Sequence, residues 1–155
     1  SPITNDIILT RPVWHNPKKI IDFELDGTGT NQQLLDIYSF SHISHGILFY
    51  LIINTIKIPI IKKHGFWIAI ILELIWEIFE NTPYIINKYR KKEEYKKYIG
   101  DSIVNMIGDI IYTMLGYYFA YKSLKYSLIY LIVSEIVLYQ FNANLLHLSI
   151  GSLLQ

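Results

Sequence analysis

Residues Phe66 to Ile86 read FWIAIILELIWEIFENTPYII, and the fold turns on how that stretch is understood. A bilayer crossing takes about 20 predominantly apolar residues, and this run is long enough, yet it carries Glu73, Glu77 and Glu80. Spaced i, i+4, i+7, the three carboxylates share one helical stripe while Ile, Leu, Trp and Phe fill the rest of the surface. Acids in hydrocarbon are costly, turn toward a bundle interior and by default mark a functional site. What balances them becomes the central question.

Working outward, three comparable segments appear. One runs over about Phe40–Ile56 and stops before Pro59, one covers about Ser102–Tyr121, and one starts near Ser127 and either continues or breaks near Asn142–Asn144. With Phe66–Asn87 they make four helices whose polar residues form narrow stripes, where soluble helices of that length show wide polar faces. Trp, Tyr and Lys collect near the ends, as interface anchors do. The expected fold is all-α: a polytopic membrane protein with four transmembrane helices in an antiparallel bundle over residues 40–155. Residues 1–39 mix Pro, Gly, Asn and charge; they read as an irregular extramembrane or interfacial region, with a short strand or two around Lys18–Leu25.

Composition agrees. A chain of 155 residues is one domain by length, and its 52% hydrophobic content gives a mean hydropathy of +0.27, high for a soluble protein and modest for a membrane one because of the polar start and one charged loop. The net charge of +1 argues against electrostatic capture of nucleic acid. With no cysteine, disulfides, thiolate metal sites and Cys nucleophiles are excluded. No signal peptide is visible, and a first residue of Ser rather than Met suggests a processed or truncated start. P-loop, GxSxG, HExxH and CxxC patterns are absent from the sequence.

Topology decides which polar groups can meet. The connections Lys57–Gly65, Lys88–Gly100 and Lys122–Tyr126 are short enough for antiparallel neighbours. The side shared with the N-terminal region carries Arg11, Lys18, Lys19, Lys88, Arg90, Lys91, Lys92, Lys96 and Lys97. The opposite side carries Lys57, Lys62, Lys63, Lys122 and Lys125, so the positive-inside rule leans toward a cytoplasmic N-terminal side. That side gathers His42 and His45 (one helical face, with Ser39, Ser41 and Ser44 nearby), then Glu77, Glu80 and Asn81, then Asp101, Asn105 and Asp109. The last three follow an i, i+4, i+8 stripe reaching roughly 12 Å along the helix. Glu135 falls near the middle of the last helix.

Were Glu73, Glu77, Glu80, Asp101, Asp109 and Glu135 all ionised, Arg90 and two imidazoles could not neutralise them, and unpaired buried charge costs several kcal/mol per ion. Either protons or a divalent cation must compensate. Two His with several carboxylates can hold Zn, Mn or Fe; Mg or Ca would use the oxygens alone. On this reading His42, His45, Glu77 and Asp109 are metal ligands, Glu77 and Asp109 the acid/base pair of an enzymatic version, and Arg90, Asn81, Asn105, Glu80 and Asp101 ligand-binding groups, with Arg90 a phosphate anchor. Blander readings stand beside it: interfacial hydrogen-bonding histidines, Glu73 as a solitary protonated acid, Asp101 with Ser102 as a helix cap, and Gly46, Gly108 and Gly116 as points of close helix approach.

The stretches LLDIYSFSHISHGILFY, ELIWEIFENTPYIINKYR, YIGDSIVNMIGDIIYTMLGYYFA and, less well, SEIVLYQFNANLLHLSIGSL resemble a bacterial family of uncharacterised membrane proteins, domain of unknown function 2585, over most of residues 31–155. That family's SFSH-x-x-HG, WE-x-x-EN-x-P and GDS-x-x-N-x-x-x-D patterns fall on Ser39–Gly46, Trp76–Pro83 and Gly100–Asp109. More distantly, the acidic helix, Arg90 and the Asp/Asn-bearing next helix resemble the VanZ-like group. The resemblance implies a further membrane segment ahead of the matched region, which would put the N-terminal side outside the cytoplasm, so orientation stays open. It also implies an Arg-Asp-Asn triplet where this chain has Phe141 to Asn144, and it supplies no reaction.

The function expected is an integral membrane protein binding a small polar or lipid-headgroup ligand in a pocket on one membrane side, with or without a divalent metal. The alternative is a non-enzymatic accessory subunit of a larger membrane complex. Ion translocation is a third reading, disfavoured because the opposite half offers only Asn54, Thr55 and Thr113. A bacterial inner membrane, or an organellar membrane of related origin, is the expected location.

Overall fold

The structure is a computed structural model that describes residues 12–14, 19–23, 31–92 and 95–144. Its elements, in chain order, are β1 (Ile21–Asp22), β2 (Leu35–Asp36), α1 (Ser39–Thr55), α2 (Pro59–Lys63), α3 (Gly65–Glu80), α4 (Pro83–Tyr89), α5 (Ile103–Lys122) and α6 (Leu124–Tyr139). The protein is mostly helical, so the all-α class holds. Two compact units divide the chain, residues 1–37 with 75–108, and residues 38–74 with 109–155.

In the first unit, β1 and β2 pair in parallel, Ile21 opposite Leu35 and Asp22 opposite Asp36. Their segment dresses the start of α5, whose first N–H groups have no partner within the helix. The Ile103 and Val104 N–H groups donate to the Pro12 and Val13 carbonyls, and the Asn105 N–H donates to Ser102 Oγ. Ser102, not Asp101, therefore caps α5, because its hydroxyl stands three residues before the open N–H. The freed Asp101 carboxylate takes other partners.

Phe66–Asn87, expected as one helix, is broken. Pro83 has no N–H and its ring disfavours helical backbone at the residue before it; Thr82 accordingly sits extended, at φ −72° and ψ 148°. Thr82 then caps α4, accepting the Ile85 N–H, with Pro83 at a position where the missing donor costs nothing. The break turns Asn81 back on α3: its side-chain amide donates to the Glu77 carbonyl.

In the second unit, small residues set the spacing of α1 and α5. A Cβ added at Gly46 would lie 1.9 Å from the Thr113 carbonyl oxygen, and one at Gly116 would lie 1.9 Å from that of Ile43. Both glycines thus act as the close-approach points expected of them. Ile53, Ala69 and Tyr117 form a core packed by Phe49, Tyr50, Ile61, Phe66 and Ile68. α6 ends at Tyr139, and Asn142, at φ 54°, reverses the chain so that the Ala143 N–H reaches the Leu138 carbonyl. Continuation beyond residue 144 lies outside the described residues. α1, α5 and α6 also line an apolar groove of about 400 Å³ between Ile43, Leu115, Tyr118, Phe119, Lys122 and Tyr130.

Candidate functional site

The second unit holds the imidazole cluster. The Gly46–Gly116 contact fixes α1 on α5, so the α5 stripe Asp109, Thr113, Gly116 (i, i+4, i+7) faces the α1 turn bearing His42. Thr113 Oγ1 donates to the His42 carbonyl at 3.2 Å. On α3 the buried stripe is Gly65, Ala69, Glu73, which brings Glu73, 0% exposed, to the same histidines. His42 Nδ1 lies 2.5 Å from Glu73 Oε1, and His42 Nε2 lies 3.4 Å from Asp109 Oδ2. His45 Nδ1 stands 3.4 and 3.3 Å from the two Glu73 oxygens. The two rings meet edge-on with centroids 5.2 Å apart.

This arrangement has a definite proton count. A neutral imidazole donates from one nitrogen and accepts at the other, but His42 presents both nitrogens to carboxylates. An extra proton or a metal ion among these groups would balance the two carboxylates.

The first unit holds a different cluster. Asn81 Nδ2 donates to Asp101 Oδ2 at 2.7 Å, and the Asp101 N–H returns a bond to Asn81 Oδ1 at 2.7 Å. Tyr98 donates to Asp101 Oδ1 and Tyr89 to Glu80 Oε1, each at 2.8 Å. Burial first, and then the Glu80 carboxylate, pushes the Tyr89 phenol above its ordinary range; burial and then Asp101 do the same for Tyr98. Both stay protonated donors. Glu77, fully buried, stands within metal-ligating distance of Glu80 and Asp101. Asn105 bonds elsewhere in this unit, to the Gln33 carbonyl and Asp36 Oδ2.

Set against the sequence, His42, His45 and Asp109 come together in the second unit, and Glu77, Glu80, Asn81 and Asp101 in the first. Arg90 sits half-buried at the end of α4, its N–H on the Ile86 carbonyl, and makes no ion pair among the described residues. Glu135 receives the Asn144 amide at 3.4 Å. Sequence reasoning bonded Glu73 to a neighbouring helix without naming the histidines and passed over Tyr89 and Tyr98; the signal was present in the i, i+4 spacing from Ala69 to Glu73 and in the three-residue step from Tyr98 to Asp101.

Comparison with known proteins now adds the family. The model described as protein of unknown function, DUF2585, matches residues 14–154. The chain belongs to this family. Relatives in DUF2585 include a UPF0314 protein of Rhizobium johnstonii, 36% identical over 107 residues, covering 68% of this chain and 54% of the relative. Another, from Sphingopyxis alaskensis, is 35% identical over 112 residues, covering 70% and 54%. A third, from Brucella anthropi, is 37% identical over 97 residues, covering 61% and 48%. The chain spans about half the length of the curated relatives it matches. No solved structure matches it.

Proposed function

We propose that this DUF2585 protein is a multi-pass protein of a bacterial-type membrane that binds a small phosphate-bearing ligand, free or as a lipid headgroup, at the His42–His45–Glu73–Asp109 cluster. The observation that carries the reading is an inverted distribution of polarity. Glu73, Glu77, Asn105, Asp101 and Asp109 are at most 3% exposed, while Ile71, Ile75, Ile78, Ile132 and Ile136 are more than half exposed. A water-soluble protein of this size rarely shows so much large apolar surface around so polar an interior; a lipid-facing one requires it.

Among the described residues one helix, Ile103–Lys122, is long and apolar enough by composition to cross a membrane. α1, α3 and α6, at 17, 16 and 16 residues, would rise about 24–26 Å and serve as the remaining crossings of a four-helix bundle by local thinning of the bilayer. The apolar groove beside Lys122 and Tyr130 suits an acyl chain. Residues 1–39 would lie outside the hydrocarbon. The order of acidic helix, Arg90 and Asp/Asn-bearing α5 supports distant kinship with VanZ-like proteins.

The test is binding of inorganic phosphate and of short-chain phosphatidylglycerol to protein purified from membranes in detergent. Loss of binding in His45→Ala and Glu73→Gln is expected, and the two probes separate free phosphate from a headgroup. Undiminished binding in both variants would end the proposal. The exposed Ile and Tyr faces favour a second reading, an accessory subunit of a membrane complex. That reading wins where the chain purifies only within a multi-subunit assembly that survives both substitutions.

A further inference from the structure

We infer that His42, His45 and Glu73 are the protein ligands of one divalent transition-metal ion of the zinc class, with Asp109 orienting His42 and a fourth position left to the bound ligand. The inference rests on the proposed ligand site and names what makes it work: a cluster lined by two carboxylates repels phosphate unless a cation stands between them.

Four observations carry it. The ligating atoms of His42, His45 and Glu73, on α1 and α3, all lie within 4.8 Å of one another. Two ligands of a tetrahedral zinc, each at about 2.0–2.1 Å from the ion, stand about 3.3 Å apart, and His45 Nδ1 lies 3.3 and 3.4 Å from the Glu73 oxygens. The 2.5 Å contact of His42 Nδ1 with Glu73 Oε1 is the spacing of two ligands sharing a proton; replacing that proton by the ion opens the pair by under about 1 Å. The other nitrogen of His42 faces Asp109 at 3.4 Å, the carboxylate–histidine–metal arrangement that sets the ring's tautomer and orientation.

Two His and one Glu leave a tetrahedral ion an open position, the pattern of zinc sites that accept a ligand rather than of closed structural ones. A phosphate oxygen would take that position without displacing a protein ligand. The Glu77, Glu80 and Asp101 group also has ligating spacing, but Tyr89, Tyr98 and Asn81 already occupy Glu80 and Asp101 with neutral donors.

The experiment uses the full chain in detergent, stripped with a chelator and titrated with Zn²⁺ and separately with Co²⁺. One ion per chain is expected, with Co²⁺ giving the strong visible absorption of a four-coordinate site. Glu73→Gln and His45→Ala should each weaken binding by about 100-fold or more, and Asp109→Asn by about 10-fold. Glu73→Asp, which keeps a carboxylate, should retain measurable binding and serves where Glu73→Gln does not fold. A wild-type protein that takes up no ion, or variants that bind as well as it does, would overturn the assignment. Phosphate bound equally by stripped and zinc-loaded protein would overturn the metal while leaving the ligand site standing. Zinc bound with no phosphate uptake would support the metal and overturn the ligand reading.

Discussion

The two buried acidic clusters of this protein solve one problem in opposite ways. In the first unit, Glu80 and Asp101 take hydrogen bonds from two phenols and a side-chain amide, all neutral donors. In the second, Glu73 and Asp109 face imidazoles, groups that hold or release a proton near neutral pH and ligate metals. The first set is a lock between Asn81 and the start of α5. The second, on the proposed reading, holds an exchangeable proton or ion. The two clusters differ less in carboxylate number than in the chemistry of the partner, and the proposed function rests on that difference.

The comparison breaks most severely at the helix contact. Gly116→Ala would drive a methyl group into the Ile43 carbonyl, so α1 and α5 must separate; destabilisation above about 3 kcal/mol is expected. Thermal unfolding in detergent should show the loss, and imidazole NMR signals of His42 should shift while the Tyr98 hydroxyl environment persists. Next comes Asp101→Ala, which leaves the Tyr98 hydroxyl and the Asn81 side-chain amide without their acceptor. A cost of about 3 kcal/mol is expected from these buried groups, with phosphate binding at the histidine cluster unchanged. Equal loss of binding in Asp101→Ala would erase the distinction between the clusters.

The phenols give a pH signature. Unfolded tyrosine ionises near about pH 10, while burial holds Tyr89 and Tyr98 protonated above that. The unfolded chain therefore releases these protons first, so their contribution is fully present below about pH 10 and is lost as pH rises through the folded values. Tyr98→Phe should flatten the alkaline fall in stability and cost about 1 kcal/mol at neutral pH. The smallest effect is Ser102→Ala, which removes the α5 cap for about 1 kcal/mol or less, measurable in the same unfolding assay.

Much of this was legible in the sequence. Apolar runs and their narrow polar stripes located α1, α5 and α6 to within a few residues, because period-3.6 burial leaves a strong imprint. Gly46 and Gly116 announced a close helix approach. The break in Phe66–Asn87 was visible in Asn81–Thr82–Pro83, but hydropathy runs straight through it; only the missing proline N–H marks it. The candidate residues were legible as a set, while the pairing of Glu73 with the histidines was not. Linear order named no histidine partner for Glu73, whereas the four-residue step Gly65, Ala69, Glu73 turns it to α1 in the second unit. Which acid meets which base depends on helix rotation, and composition does not carry that.

Spin labelling reaches the inverted polarity directly, since the natural chain has no cysteine to interfere. Nitroxides at Ile132→Cys, Ile136→Cys and Ser134→Cys, in protein reconstituted in lipid vesicles, would be probed by oxygen and by a water-soluble nickel chelate. Labels at 132 and 136, exposed on α6, should collide with oxygen and not nickel, while one at the buried 134 is shielded from both. Nickel reaching 132 and 136 as freely as a loop site would place that face in water and contradict the account.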